Sequence, residues 1–158
     1  MESYIKKLRL IAPDKFLILN ATAVVITNEK NEILLQKRSD NGLWGLPGGL
    51  FELADSISQC AIREVKEETN LDIFLDKFIG VFVNPFMRWK ECDKAKVFSF
   101  AFTANITGGE LRVNDSESSD LKYFSYEELP TIHSIDNVEI VDAYYNNKFG
   151  LIEGEKYE

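Results

Sequence analysis

The chain has 158 residues, 45% of them hydrophobic, and carries 18 Lys and Arg against 26 Asp and Glu, a formal net charge of -8. That length and apolar content suit one domain over residues 1–158 with a real core, and argue against a disordered chain. The acidic balance makes long nucleic acid a poor partner, because such a surface repels phosphate backbones, but it leaves open a small phosphorylated ligand beside a metal ion that supplies positive charge locally.

In chain order, residues 1–11 alternate Lys and Arg with Ile and Leu and lack the apolar core and cleavage site of a signal peptide. They read as a short amphipathic helix, so residues 1–12 form an N-terminal extension that packs on the domain or on a second subunit. Ile5, Leu8, Leu10 and Ile11 motivate the expectation of a homodimer. No apolar run has the length of a membrane span, and a cytoplasmic location is expected. Residues 16–27, rich in Leu, Ile and Val, read as a buried strand, 28–31 as a polar turn and 32–37 as a second strand, so that the two form a hairpin. A loop over 39–42 precedes Trp44-Gly45-Leu46-Pro47-Gly48-Gly49. Three glycines and a proline there prevent regular structure and let the backbone approach a ligand closely. A helix follows over about 55–69, with Asp55 or Ser56 as its cap and Asn70 able to take the left-handed conformation at its end.

Two long β stretches, 74–83 and 96–106, are joined by the polar segment 84–94, and Gly108-Gly109 reads as a turn. A short strand at 121–124, a helical turn at 126–129 and a final helix at 135–146 complete the chain. Strands mixed with two or three helices imply an α/β layered domain with a mixed sheet. Neither a GxGxxG unit nor a GxxxxGK[ST] loop occurs, which argues against a dinucleotide Rossmann site and a P-loop.

Cys60 and Cys92 have no close pairing pattern and are expected to stay reduced, and His133 is the one histidine. This inventory excludes the usual nitrogen- and sulfur-ligand zinc sites and turns any metal toward oxygen ligands, hence magnesium or manganese. The oxygen ligands at hand are in Arg63-Glu64-Val65-Lys66-Glu67-Glu68. On a helix Glu64, Glu67 and Glu68 share a face, where like charges cost about 0.2–0.5 kcal/mol per pair. At about 100° per residue Ile57, Ala61 and Val65 form an apolar stripe, with Glu68 inside it and Glu64 and Glu67 at its edge, whereas Arg63 and Lys66 project away. Taken alone, three acids on a helix face are ordinary surface decoration. Carboxylates against an apolar stripe, beside a glycine loop, instead call for a counter-charge, and a divalent cation is the simplest one.

Residues 49–71 together resemble the signature box of the Nudix hydrolase family: Gly, five residues, Glu, seven residues, Arg-Glu, an aliphatic, any residue, Glu-Glu, any residue, Gly, an aliphatic. Gly49, Arg63, Glu64, Val65, Glu67, Glu68 and Leu71 fall in place, and Leu46-Pro47-Gly48-Gly49 with Glu52 looks like the family's preceding loop. Asp55 stands where the family has Glu, which puts an outer metal contact in doubt; Asn70 stands where it has Gly, and Ala54 where Gly is common. The resemblance implies a Nudix fold, an α/β/α sandwich around a mixed β-sheet. It also implies hydrolysis of the phosphoanhydride bond of a nucleoside diphosphate linked to another moiety: a nucleoside triphosphate, ADP-ribose or a nucleotide sugar. By position Glu64, Glu67 and Glu68 would bind magnesium or manganese with the Gly48 carbonyl, and Arg63 would hold the loop by pairing with Glu52. The general base differs between subfamilies; Glu67 and Glu64 are candidates within the box, and Glu117 or Asp120 in the segment before the strand at 121–124.

Outside the box, Arg38 is placed to contact a phosphate and Trp44 to pack at the loop root. Phe86, Met87, Arg88 and Trp89 offer an aromatic and a cation that could sandwich a base, and Arg38, Glu52 and Trp89 are the substrate-binding candidates. His133 reads as a capping or surface residue rather than a catalyst. A rival reading, a Nudix-like domain that binds a nucleotide without hydrolysing it, draws on Asp55 and Asn70; the intact central glutamates speak against it.

Overall fold

The computed structural model describes residues 3–88, 94–153 and 155–156. Strand β1 (Leu17–Ile26) lies parallel to β5 (Lys94–Gly109), which runs antiparallel to β4 (Leu71–Arg88). The short strands β7 (Leu151–Ile152) and β8 (Glu155–Lys156) extend this mixed sheet to the order β1-β5-β4-β7-β8. A second, antiparallel sheet has the order β3-β2-β6, from β2 (Ile33–Arg38), β3 (Trp44–Gly45) and β6 (Ser118–Phe124). Helices α2 (Ile57–Thr69) and α3 (Ile135–Tyr145) cover opposite faces. Alternate residues of β1 divide between two cores: Val24 and Ile26 meet Ala61 and Val65 of α2, whereas Ala23 and Val25 meet Ile140 and Val141 of α3. The α/β/α sandwich around a mixed sheet is therefore the architecture.

The hairpin expected over 16–37 does not form. β1 and β2 belong to different sheets and touch through one bridge, Thr27 to Ile33. The turn between them is tightly built: Asn28 Oδ1 accepts from the amides of Lys30 and Glu32, and Asn31 has φ 58°. Both strands are buried on both faces over residues 24–26 and 33–35. Such two-sided apolar runs suit strands with a helix layer on each side, and they carry no alternation that would pair them with each other.

Two further expectations change. Trp44-Gly45 is not irregular, since it pairs with Gln36 and Lys37 of β2. Gly108 and Gly109 do not turn; they continue β5 opposite Asp72 and Leu71. The two long strands outrun their apolar patterns because backbone ladders continue through polar residues, with irregular register between Leu75 and Gly80. Helix α1 (Tyr4–Ile11), capped by Ser3, packs Ile5 and Leu8 against Leu19, Ala21, Ala95 and Val97 of its own domain, leaving Leu10 and Ile11 76% and 83% exposed. No described helix is long and apolar enough to cross a membrane.

Candidate active site

Helix α2 starts at Ser56, whose hydroxyl accepts from Gln59 N while Gln59 returns a bond to the Ser56 amide, a capping box on the order of 1 kcal/mol. It ends at Asn70, left-handed at φ 62°, the conformation glycine would otherwise supply. Its buried face is Cys60, Ala61, Val65, Glu68 and Thr69; Ile57 of the expected stripe is largely exposed.

The glycine loop is pressed between β1 and this helix. Thr22 N donates to Gly49 O (2.9 Å) and Val24 N to Pro47 O (2.8 Å). Gly48 has φ 150°, and a Cβ there would lie 2.0 Å from Thr22 O; one at Gly49 would lie 2.5 Å from the Glu64 carboxylate. Absence of a side chain at 48 lets the loop close on β1, and at 49 lets the Glu64 carboxylate reach the loop backbone. Gly48 N donates to Glu68 Oε2 (2.9 Å), and Gln36 Nε2 donates to Glu68 Oε1 (3.0 Å). Glu68 is 4% exposed, and burial pushes its carboxyl well above the usual range despite the Gln36 bond. Burial likewise lifts Glu64 to about 7, against the pull of Arg63 and with further upward pushes from Glu67 and Glu117. Glu67 is 55% exposed.

Arg63 does not project away, and its partner is not Glu52. Its guanidinium donates to Asp55 Oδ2 (2.5 Å) and Oδ1 (3.3 Å), to Glu64 Oε1 (2.7 Å), to Glu67 Oε2 (3.3 Å) and to Leu50 O (3.3 Å). The chain turns back at residues 52–55, where Asp55 N donates to Glu52 O, and this aims Asp55 rather than Glu52 at the helix. Asp55 is thus the anchor of Arg63 here, which accounts for the shorter acid at that position without an outer metal contact. The Glu52 carboxylate accepts from Tyr4 N (2.8 Å) and ties α1 to the loop. Lys66 does face away, bonding Asn70 O and Asp72.

The other candidates sort clearly. The segment before β6 wraps over the end of α2, with Arg112 N and Asn114 N donating to Thr69 O and Glu68 O. Asp115 Oδ1 accepts from the amides of Glu117 and Ser118 (3.1 Å each), and Ser39 N donates to Glu117 O. Glu117 and Asp115 both act on the helix acids, pushing up Glu64 and Glu68 respectively. Asp115 was not singled out in the sequence, although Asp-Ser-Glu-Ser is a legible Asx-turn signal. Asp120 is exposed opposite Lys37, its carboxylate bonded to Leu121 N. Arg38 is engaged by Asp40 through two bonds of 2.9 and 2.7 Å. Trp44 packs edge-on to Phe124, as a loop-root residue should. Trp89 lies outside the described residues. His133 is half-buried and held neutral, pushed down to about 4 by burial first.

A second polar group was missed. Asp136, at the start of α3, is buried; Ser99 Oγ donates to its Oδ2 (2.8 Å), and its Oδ1 has no partner among the described residues. Its neighbour Asn137 accepts from Leu46 N (2.8 Å). The loop that meets Glu68 at Gly48 thus meets the α3 terminus two residues earlier. An apolar groove lined by Phe51, Phe78, Phe100 and Phe102 opens beside the start of α2, and Asp55, the acid that Arg63 holds, stands on its wall.

Among the described residues no three acidic, histidine or cysteine side chains already converge on one point. The Arg63 guanidinium engages Glu64 and Glu67 in ion pairs. The donor set nonetheless fits a hard divalent ion. Glu68 is buried and Glu64 half-buried, with burial raising both carboxyls, Glu67 lies one turn from Glu64, and no hydrogen bond reaches the Gly48 carbonyl among the described residues. A pH prediction follows for the metal-free protein. The folded pKa of Glu64 lies above its unfolded value, so stability falls as pH rises from about 4.5 to about 7. In EDTA, Glu64→Gln should raise Tm at pH 8 by a few degrees and leave it nearly unchanged at pH 5; equal shifts at both would refute burial as the cause.

A family model described as NUDIX domain matches residues 18–144. An ADP-ribose pyrophosphatase of Methanocaldococcus jannaschii is 31% identical over 128 residues, 79% of this chain and 72% of the relative. A Bacillus subtilis protein provisionally named 8-oxo-dGTP diphosphatase is 36% identical over 107 residues, 68% of this chain and 66% of the relative. Among solved structures, an ADP-ribose pyrophosphatase of Streptococcus suis superposes with TM-score 0.66 at 25% identity, covering 85% of this chain and 96% of that one. The MutT protein of Methanosarcina mazei shares the fold with TM-score 0.69 at 24% identity, over 85% and 98% of the two chains.

Proposed function

The chain belongs to the NUDIX domain family, whose matched relatives bear the names of pyrophosphatases and diphosphatases, and we propose that it hydrolyses the pyrophosphate bond of a nucleoside diphosphate derivative. The observation that carries this reading is the meeting of half-buried Glu64 and buried Glu68 with the Gly48-Gly49 backbone, where burial raises both carboxyls. Glu64, Glu67 and Glu68, with the Gly48 carbonyl, would hold magnesium or manganese, which when bound supplies charge neutralisation of the diphosphate and water activation. Glu67, the most exposed of the three and loosely held by Arg63, takes the proton from the attacking water. Glu117 is the alternative base, tethered by its backbone near Glu64.

ADP-ribose heads the substrate panel, followed by oxidised and ordinary nucleoside triphosphates and nucleotide sugars. Release of nucleoside monophosphate, phosphate or pyrophosphate is followed with magnesium, with manganese and with EDTA. Turnover is expected with either metal and to fall to background in EDTA; full turnover without metal would sink the mechanism, and no turnover of any substrate would favour a binding-only domain. Of the two features that favoured that rival, Asp55 pairs with Arg63 and Asn70 forms the left-handed end of α2. The homodimer proposal now rests on exposed Leu10 and Ile11. Light scattering should give twice the chain mass at high micromolar concentration, and a monomer with residues 1–12 intact would reject it.

A further inference from the structure

Strand β2 carries one polar residue within its buried stretch. Ile33, Leu34 and Leu35 are fully buried, and Gln36 follows them at 9% exposure. A buried amide is costly unless its donors and acceptor are met. Here they are met by three separate elements: Nε2 donates to Glu68 Oε1 on α2 (3.0 Å) and to Leu46 O on the glycine loop (3.4 Å), and Oε1 accepts from Ser118 Oγ on β6 (2.5 Å). The chemistry fixes the orientation of the amide. The Leu46 carbonyl offers no hydrogen to accept, so the NH2 faces it and Glu68, and the oxygen faces the Ser118 hydroxyl.

The backbone makes this link possible. Between Lys37 and Arg38 the β2–β6 register shifts, pairing Lys37 with Asp120 and Arg38 with Ser118, so that Ser119 is the extra residue. The bulge turns Ser118 inward onto Gln36 while its neighbour Glu117 is held by Ser39 N. One side chain thereby joins a carboxylate of the glutamate cluster to the segment that carries the second candidate base.

We propose that Gln36 is a positioning residue, which fixes the Glu68 carboxylate for the metal and sets the segment bearing Glu117 in register with it. This rests on the reading of Glu64, Glu67 and Glu68 as the metal site. Groups that orient a ligand carboxylate typically change metal affinity 10–100-fold when removed.

The test uses the full chain and Mn2+, with free and bound ion read by electron paramagnetic resonance, beside kcat and KM on the best panel substrate. Gln36→Met keeps length and removes all three bonds. It is expected to weaken Mn2+ binding by about 10-fold or more and to lower kcat with KM for the nucleotide little changed. Ser118→Ala cuts only the β6 link, and should lower kcat several-fold with a smaller loss of Mn2+ affinity; it serves as the deciding variant if Gln36→Met does not fold. Wild-type Mn2+ affinity and kcat in a folded Gln36→Met, or in Ser118→Ala where it decides, would overturn the proposal. Glu67→Gln and Glu68→Gln are measured alongside: if they too bind Mn2+ as wild type does, the metal-site reading has failed rather than the role of Gln36.

Discussion

Glu67→Gln is expected to lower kcat by about 10²–10⁴-fold, the usual worth of a positioned general base, while the metal-free protein melts within a few degrees of wild type. The separation follows from where Glu67 sits. It is 55% exposed, and its one ion pair among the described residues, to Arg63 at 3.3 Å, is of the solvent-screened kind that contributes about 0–1 kcal/mol. The substitution also relieves repulsion with Glu64 one turn away. Turnover under saturating magnesium, together with melts in EDTA and in magnesium, makes the measurement. Glu117→Gln is the internal comparison: if it loses as much kcat with Mn2+ affinity intact while Glu67→Gln loses mainly affinity, the base lies on the segment before β6. A Glu67→Gln protein that melts well below wild type in EDTA yet hydrolyses normally would show that these glutamates are structural.

The second large effect is expected of Arg63→Ala. One guanidinium holds Asp55, Glu64, Glu67 and the Leu50 carbonyl, so its loss strips the counter-charge from three acids and unties the 50–55 segment from α2. At 28% exposure the group lies between a surface pair and a buried one, and a cost of about 2–4 kcal/mol is expected. For a chain of this length that is a fall in Tm on the order of 5–15 °C. Activity should fall with it, because Glu64 and Glu67 lose the group that spaces them. Magnesium should raise the Tm of Arg63→Ala more than that of wild type, since a cation at the cluster substitutes for the lost charge. Arg63→Lys should stand between, as an ammonium cannot fork to Asp55 and Glu64 together. An Arg63→Ala protein with wild-type Tm in EDTA would mean that the network contributes nothing to the fold.

What the sequence determined by itself is what depends on local geometry. Helical spacing alone brings Glu64, Glu67 and Glu68 to one side, and Glu68 into the buried face, because positions three and four apart must neighbour on any α-helix. The Ser56 cap, the left-handed Asn70 and the close approach permitted at Gly48-Gly49 follow from residue chemistry in the same way. A layered α/β domain was legible from the mixture of strands and helices, and its three layers from the resemblance to the Nudix family.

Tertiary structure decided which distant partners meet. Periodicity describes faces, not neighbours, so it could not tell that β1 and β2 enter different sheets rather than pair as a hairpin. Nor could it tell that the turn at 52–55 would aim Asp55, not Glu52, at Arg63. A long flexible arginine takes whichever acid the fold presents, and that acid was fixed only when the loop closed on the helix. Gln36, Ser118, Asp115 and Asp136 escaped notice for the same reason: each is ordinary in its own segment, and each acquires a role only when chain segments tens of residues away meet it in the fold.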